Sequence, residues 1–211
     1  MVYSALDGPI YGVHHSAQPL NTGFQNPRRR NIGGSQCISR VVLPRPGGIH
    51  TKTGAGPRHL ALHPNGRFLY LITETTDTIG GYAIDPATGT LTELQFVNAL
   101  PSDFKEQPAA ADLHVTPDGR FLYGSERKTS TLAGYRIDSD KGTLSPTGHF
   151  PTEKTPRGFN IDPRGRFLLS VGLDSNTMTV YRIDPQSGAL AVAKQYPMGQ
   201  QPNWIEIVDL R

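Results

Sequence analysis

Cysteine is nearly missing from this chain of 211 residues, where Cys37 stands alone. No internal disulfide can form, and no Cys-x-x-Cys pair exists for metal or redox chemistry. Charge of either sign is sparse: 18% of residues are charged against 36% hydrophobic. That balance is too apolar for wholesale disorder. The net charge of +3 falls short of a nucleic-acid footprint, while a pI near 9.1 suits a small anionic ligand. No apolar run approaches the roughly 18 residues a membrane span needs. The segment after Met1 has neither a basic start nor an apolar stretch, so no signal peptide is visible and a cytoplasmic protein is expected. No window of ten or more residues carries a helical stripe. Catalytic signatures are scarce too. There is no Gly-x-Ser-x-Gly, no Ser-x-x-Lys in a matching context, no Gly-rich phosphate loop and no His-Glu-x-x-His. No metal or cofactor is expected.

Turn-formers, by contrast, are abundant: 23 glycines and 18 prolines, about 19% of the chain where roughly 12% is usual. They punctuate a repeat. Gly-Arg-Phe-Leu occurs at Gly66–Leu69, Gly119–Leu122 and Gly165–Leu168, at intervals of 53 and 46 residues. Tyr82-Ala-Ile-Asp85, Tyr135-Arg-Ile-Asp138 and Tyr181-Arg-Ile-Asp184 follow with the same two intervals. So do Gly89-Thr-Leu91, Gly142-Thr-Leu144 and Gly188-Ala-Leu190. Three markers in fixed register define a real repeat.

Each unit reads as four short strands. In the first unit these are Leu60–Leu62, Phe68–Thr73, Ile79–Ile84 and Leu91–Val97, separated by Pro, Asn, Asp and Gly turns. Four strands in about 45–50 residues is the spacing of β-propeller blades. The expected fold is therefore all-β, with about three to four blades of four-stranded antiparallel sheet in an incomplete ring. Blades start near Arg58, Ala111 and Arg157, and a lone first strand starts near Asn203. Residues 1–50 match poorly: they hold Arg28-Arg-Arg30 and one β-like run, Ile38–Leu43. The expected organisation is an irregular segment over 1–50 and a propeller domain over 51–211. The three arginines, without interleaved aromatics, read as a solvated loop rather than a nucleic-acid or membrane site. Open blade edges leave self-association available.

The repeated block is similar to the seven-bladed β-propeller lactonase family, which includes propeller-type bacterial 6-phosphogluconolactonases and, as a relative, the fungal 3-carboxy-cis,cis-muconate cyclase. Four segments carry the resemblance. They are Gly54-Ala-Gly-Pro-Arg-His59 with His63-Pro-Asn-Gly66, Ala110-Ala-Asp-Leu-His114 with Thr116-Pro-Asp-Gly119, Thr155-Pro-Arg-Gly-Phe-Asn160, and Gly199-Gln-Gln-Pro-Asn-Trp204. They correspond to roughly the C-terminal half of a full-length member. His15-Ser16-Ala17 resembles, over two or three residues, a His-Ser motif one blade ahead.

Inner strands of a propeller line its channel, and register places Arg58, Ala111, Arg157 and Asn203 at equivalent points. Two guanidinium groups facing one cavity call for an anion. Arginine's planar fork of donors suits phosphate or carboxylate. The competing reading, loop carbonyls braced by arginine, is about equal on the repeats alone, and the resemblance favours the ligand. Glu74 and Arg127 share register at the ends of adjacent second strands. The resemblance implies that Arg58, Glu74 and Arg127 match the polar cluster of the cyclase relative. Without that, they read as a surface ion pair worth at most ~1 kcal/mol. His59 and His63 lie i, i+4 on a strand, about 13 Å apart at ~3.3 Å per residue, too far to share a metal. His59 is a candidate base or donor beside Arg58. His114 follows the same logic, and Asp112, in register with His59, can balance the arginines. Trp204 is expected to pack between blades.

A sugar δ-lactone is a reactive ester whose hydrolysis needs a base for water and donors for the oxyanion. The resemblance implies 6-phosphogluconolactone hydrolysis to 6-phosphogluconate, in carbohydrate metabolism. Glu74 or His59 would activate water, Arg58 and Arg127 would steady the carbonyl oxygen, and Arg157 would hold the remote phosphate, with His114, Asp112 and Asn203 as further substrate-binding candidates. The alternatives are a muconate-type cyclase using the same arginines on carboxylates, or a non-catalytic remnant or binding module.

Overall fold

The computed structural model describes residues 49–207. The Arg28–Arg30 loop, the Ile38–Leu43 run, Cys37 and the His15-Ser16 match lie outside the described residues, as does Val208. Twelve strands form three antiparallel sheets, each in the order of its chain. Blade 1 holds β1 (Pro57–Leu62), β2 (Phe68–Thr73), β3 (Thr78–Ile84) and β4 (Leu91–Asn98). Blade 2 holds β5 (Ala110–Val115), β6 (Phe121–Glu126), β7 (Thr131–Ile137) and β8 (Leu144–Pro151). Blade 3 holds β9 (Pro156–Ile161), β10 (Phe167–Gly172), β11 (Thr177–Ile183) and β12 (Leu190–Pro197). Among the described residues these are three propeller blades that do not close a ring, as the repeat predicts.

The sequence markers are the joints of this architecture. In Gly-Arg-Phe-Leu the glycine takes a positive φ, between 65° and 75° in the three copies, which closes the β-turn into the second strand. The arginine lays its guanidinium over the phenylalanine ring at 5.2, 5.4 and 5.7 Å in the three blades. The aspartate of each Tyr-x-Ile-Asp marker caps the next turn. Asp138 Oδ1 accepts from the Asp140 and Lys141 amides at 3.0 and 2.9 Å, and Asp184 Oδ1 does the same for Gln186 and Ser187 at 3.0 and 2.7 Å.

Blades pack face to face. Phe68, Tyr70, Ile72 and Ile79 of blade 1 share a core with Leu113, Leu122, Tyr135 and Ile137 of blade 2. Phe121, Tyr123 and Leu132 do the same with Phe159, Leu168 and Tyr181 of blade 3. Gly142 is needed at one of these contacts, because a Cβ there would lie 2.4 Å from the Phe68 ring. Gly188 stands in the same relation to Phe121, also at 2.4 Å. The buried hydroxyl of Tyr70 donates to the Gly142 carbonyl at 3.0 Å, and that of Tyr123 to Gly188 at 2.7 Å. The inner strands β1, β5 and β9 lie side by side, while β12 is the most exposed strand.

Two expectations change at the C-terminal end. No ladder forms near Asn203: residues 202–207 belong to no strand, and their tie to blade 3 is the Asn160 Nδ2 bond to the Ile205 carbonyl at 3.1 Å. A strand needs a partner offering alternate donors and acceptors, and one side-chain bond does not supply that. Trp204 does not pack between blades. It is 60% exposed, because the backbone of this segment, rather than the indole, is what presses on β9 at Gly158.

Candidate active site

Each inner strand bulges at the position the repeat singles out. In β1, Pro57 pairs with Thr73 and His59 with Ile72, leaving Arg58 without a ladder partner. In β5 the pairing jumps from Ala110 to Leu113, releasing Ala111 and Asp112. In β9 it jumps from Pro156 to Gly158, releasing Arg157. A bulge re-aims side chains out of strict alternation. Arg58 and His59, consecutive residues that would otherwise face opposite ways, both reach across to blade 2.

The first constellation is a row of charges across blades 1 and 2. The Arg58 guanidinium donates through Nη1 to the Ala111 carbonyl, and its Nε stands 3.6 Å from Glu74 Oε2. Glu74 Oε1 pairs with Arg127 Nη2, and Arg127 Nε donates to the Ala109 carbonyl at 2.9 Å. Backbone bonds fix the same parts: the Glu74 amide donates to Gly56, the Ala110 amide to Glu74, and the Arg127 amide to Ala109. Burial pushes the Arg58 guanidinium below its ordinary value. Glu74 opposes that shift, while the Arg127 and Arg157 cations add to it. Arg58, Arg127 and Arg157 therefore share one electrostatic neighbourhood. Arg157 itself is exposed and has no hydrogen-bond or ion-pair partner among the described residues.

The second constellation centres on Asp112, which is 4% exposed. Its Oδ1 accepts from His59 Nδ1 at 2.9 Å and from the Leu113 amide at 2.9 Å. Its Oδ2 accepts from His114 Nε2 at 3.2 Å and from the Phe159 amide of blade 3 at 3.3 Å. Burial alone would raise the Asp112 pKa, but the hydrogen bonds and charges of His114 and His59 reverse this and hold the carboxyl well below the usual carboxylate range. One carboxylate thus joins groups from all three blades. His114 also meets the Phe159 ring edge-on at 4.8 Å.

The remaining candidates lie apart from these. His63 is buried with Nε2 on the Gly119 carbonyl at 2.8 Å, facing a turn of blade 2 rather than His59. The Asn203 side chain is exposed and makes no hydrogen bond among the described residues. Among the described residues no group of His, Cys, Asp and Glu is arranged to hold a metal ion. Two partners in the second constellation were invisible in the sequence. Ser125 Oγ, fully buried, receives the Asp112 amide at 3.0 Å, and the Phe159 contribution is a main-chain group.

Comparison with known proteins places this chain in a family. The profile described as "Lactonase, 7-bladed beta-propeller" matches residues 38–207. The chain belongs to the seven-bladed β-propeller lactonase family. Its relatives within that lactonase family include the 6-phosphogluconolactonase of Pectobacterium atrosepticum, 42% identical over 163 residues, covering 74% of this chain and 48% of the relative. The 6-phosphogluconolactonase of Serratia proteamaculans is 44% identical over 112 residues, covering 53% of this chain and 34% of the relative. Among solved structures, the periplasmic gluconolactonase of Pseudomonas aeruginosa superposes with a TM-score of 0.67 at 32% identity, over 72% of this chain and 42% of that one. This lactonase-family chain spans about half the length of the Pectobacterium relative it matches. No helix among its described residues is long and apolar enough to cross a membrane.

Proposed function

We propose that this chain hydrolyses a sugar lactone, 6-phosphogluconolactone being the substrate its charges suit best. The observation that carries the reading is the continuous row Arg58–Glu74–Arg127 with Arg157 exposed and within its electrostatic reach. Donors fixed by backbone carbonyls and by Glu74 are pre-organised for a developing oxyanion. Arg58 and Arg127 hold the carbonyl oxygen, a base beside them, Glu74 or His59, takes a proton from water, and the unpaired Arg157 takes the phosphate. His114 and Asn203 border the lactone, with Asp112 buried behind the imidazoles. The relatives' printed activities support the same class of substrate. A phosphorylated sugar lactone arises inside cells, which supports a cytoplasmic location. The exposed Val192 and Tyr196 on the outer strand β12 support self-association, checked by size-exclusion chromatography over a concentration series.

The purified chain is expected to hydrolyse 6-phosphogluconolactone above the spontaneous rate. Arg157→Ala should raise KM for that substrate far more than for unphosphorylated gluconolactone. Equal effects on both would remove the phosphate role. Turnover of a carboxymuconate and not of lactones would replace the reading by a cyclase, and turnover of neither would leave a binding module.

A further inference from the structure

The two carboxylates of the site are engaged in different ways. Glu74 directs one oxygen at Arg127 and the other at Arg58, so its geometry holds the arginines in place. Asp112 has four hydrogen-bond partners, two amides and two imidazole nitrogens. An ionised carboxylate only accepts, so the nitrogens facing it, Nδ1 of His59 and Nε2 of His114, carry protons. In the neutral rings the lone pair is then left on the opposite nitrogen. For His114 that is Nδ1, next to its own backbone. For His59 it is Nε2, the distal tip of a side chain that keeps 26% of its surface exposed and follows Arg58 directly in sequence. This ring bonds Asp112 of β5, which also holds His114, and the Arg58 beside it in sequence is in the electrostatic field of Glu74 after β2, Arg127 after β6, Arg157 on β9 and Asp112.

We infer that Asp112 is a positioning residue that holds His59 in its Nδ1–H form, making Nε2 of His59 the atom that takes the proton from the attacking water. The inference rests on the lactonase reading and chooses between its two candidate bases. The water oxygen adds to the lactone carbonyl carbon as its proton passes to Nε2, and the oxyanion forms against the arginines. The carbonyl then reforms and the ring C–O bond breaks. The departing ring oxygen takes that proton from the imidazolium, giving the open hydroxy acid and restoring neutral His59.

The test is nitrogen NMR on the full chain labelled with 15N-histidine, with His59→Gln assigning the signals, alongside kinetics of Asp112→Asn. In the wild type, His59 is expected to show a protonated Nδ1 and a bare Nε2, with His114 reversed. Asparagine is the same size but can accept at only one of its two positions. The imidazole facing the new NH2 must therefore exchange its proton to the other nitrogen. Where the spectrum shows that this is His59, kcat should fall on the order of 100-fold with KM changed by less than about threefold, and where it is His114, kcat should stay near the wild-type value. A wild-type His59 whose bare nitrogen is Nδ1 overturns the inference, as does Asp112→Asn in which the His59 proton has moved to Nε2 while kcat is unchanged. The wild-type spectrum decides the first point even if the variant fails to fold. The expected tautomers in a chain that hydrolyses no lactone would overturn the lactonase reading instead.

Discussion

The junction between blades 1 and 2 and the junction between blades 2 and 3 are built on the same register, but they differ in charge. Their scaffolding repeats. Tyr70 and Tyr123 both donate to a glycine carbonyl of the following blade. Tyr135 and Tyr181 reach back to the Asn98 and Pro151 carbonyls, each at 2.9 Å. At the inner end the repetition stops. The first junction carries Arg58, Glu74 and Arg127, whereas the register equivalents at the second are Ala111, Arg127 and Leu173. A propeller blade evidently docks on its neighbour without an arginine–glutamate–arginine row. Docking of one blade on the next therefore does not require that row, which supports the proposal that it serves ligand chemistry.

Five experiments sharpen or break this contrast. Asp112→Ala should be the most damaging, because it strands two amides and two imidazoles where the three blades meet. A loss of about 3 kcal/mol is expected in urea unfolding. The same carboxylate gives an acid signature. Its folded pKa lies below the unfolded one, so its stabilisation is complete above the ordinary aspartate range and is lost as pH falls through the folded value. Arg58→Ala should lower kcat for lactone hydrolysis about 100-fold while leaving the second junction intact. A small effect would mean that the charged row is only a brace. Gly142→Ala and Gly188→Ala should each cost about 2 kcal/mol, since both combine a positive φ with a clash on a buried ring. Unequal losses would show that the two interfaces are not equivalent after all.

Asp77→Asn probes the rear of the first junction. Asp77 is fully buried with neither carboxyl oxygen partnered among the described residues. Burial, with Glu126 second, raises its pKa to about 8. The folded protein holds this proton across a range in which the unfolded chain, with an aspartate pKa of about 4, has lost it, so stability falls as pH rises from about 4 to 8. Asparagine should therefore stabilise by about 1–2 kcal/mol at pH 8 and little at pH 4. The smallest effect is expected for Arg157→Ala, whose melting should match the wild type within about 0.5 kcal/mol, in contrast to its effect on KM.

The blades were legible in the sequence because each marker has a local cause: a left-handed glycine, an aspartate-capped turn, an arginine over a phenylalanine. Strand β2 falls on the predicted Phe68–Thr73, and the other three strands of blade 1 begin at or before their predicted starts and share or slightly extend their ends. The Arg58, Glu74 and Arg127 register could be counted from the same intervals. The way in which Asp112 gathers His59, His114 and the Phe159 amide could not. It depends on bulges that break strand alternation, and on a main-chain donor that no residue type announces. Asp77 went unnoticed for a related reason, since an aspartate in a hairpin turn reads as a surface residue. Trp204 misled in the opposite direction, because an indole suggests a core and this one has none over it among the described residues.

Gly158 sits at the place in its blade that His59 and Asp112 occupy in theirs, and a Cβ there would come within 2.6 Å of the Asn203 carbonyl. The crossing main chain removes the room for a third functional side chain. Threefold repetition therefore does not yield a threefold site: the steric veto at a single α-carbon breaks the pseudo-symmetry, so among the described blades the Asp112 carboxylate gathers imidazoles from blades 1 and 2 and only a main-chain amide from blade 3.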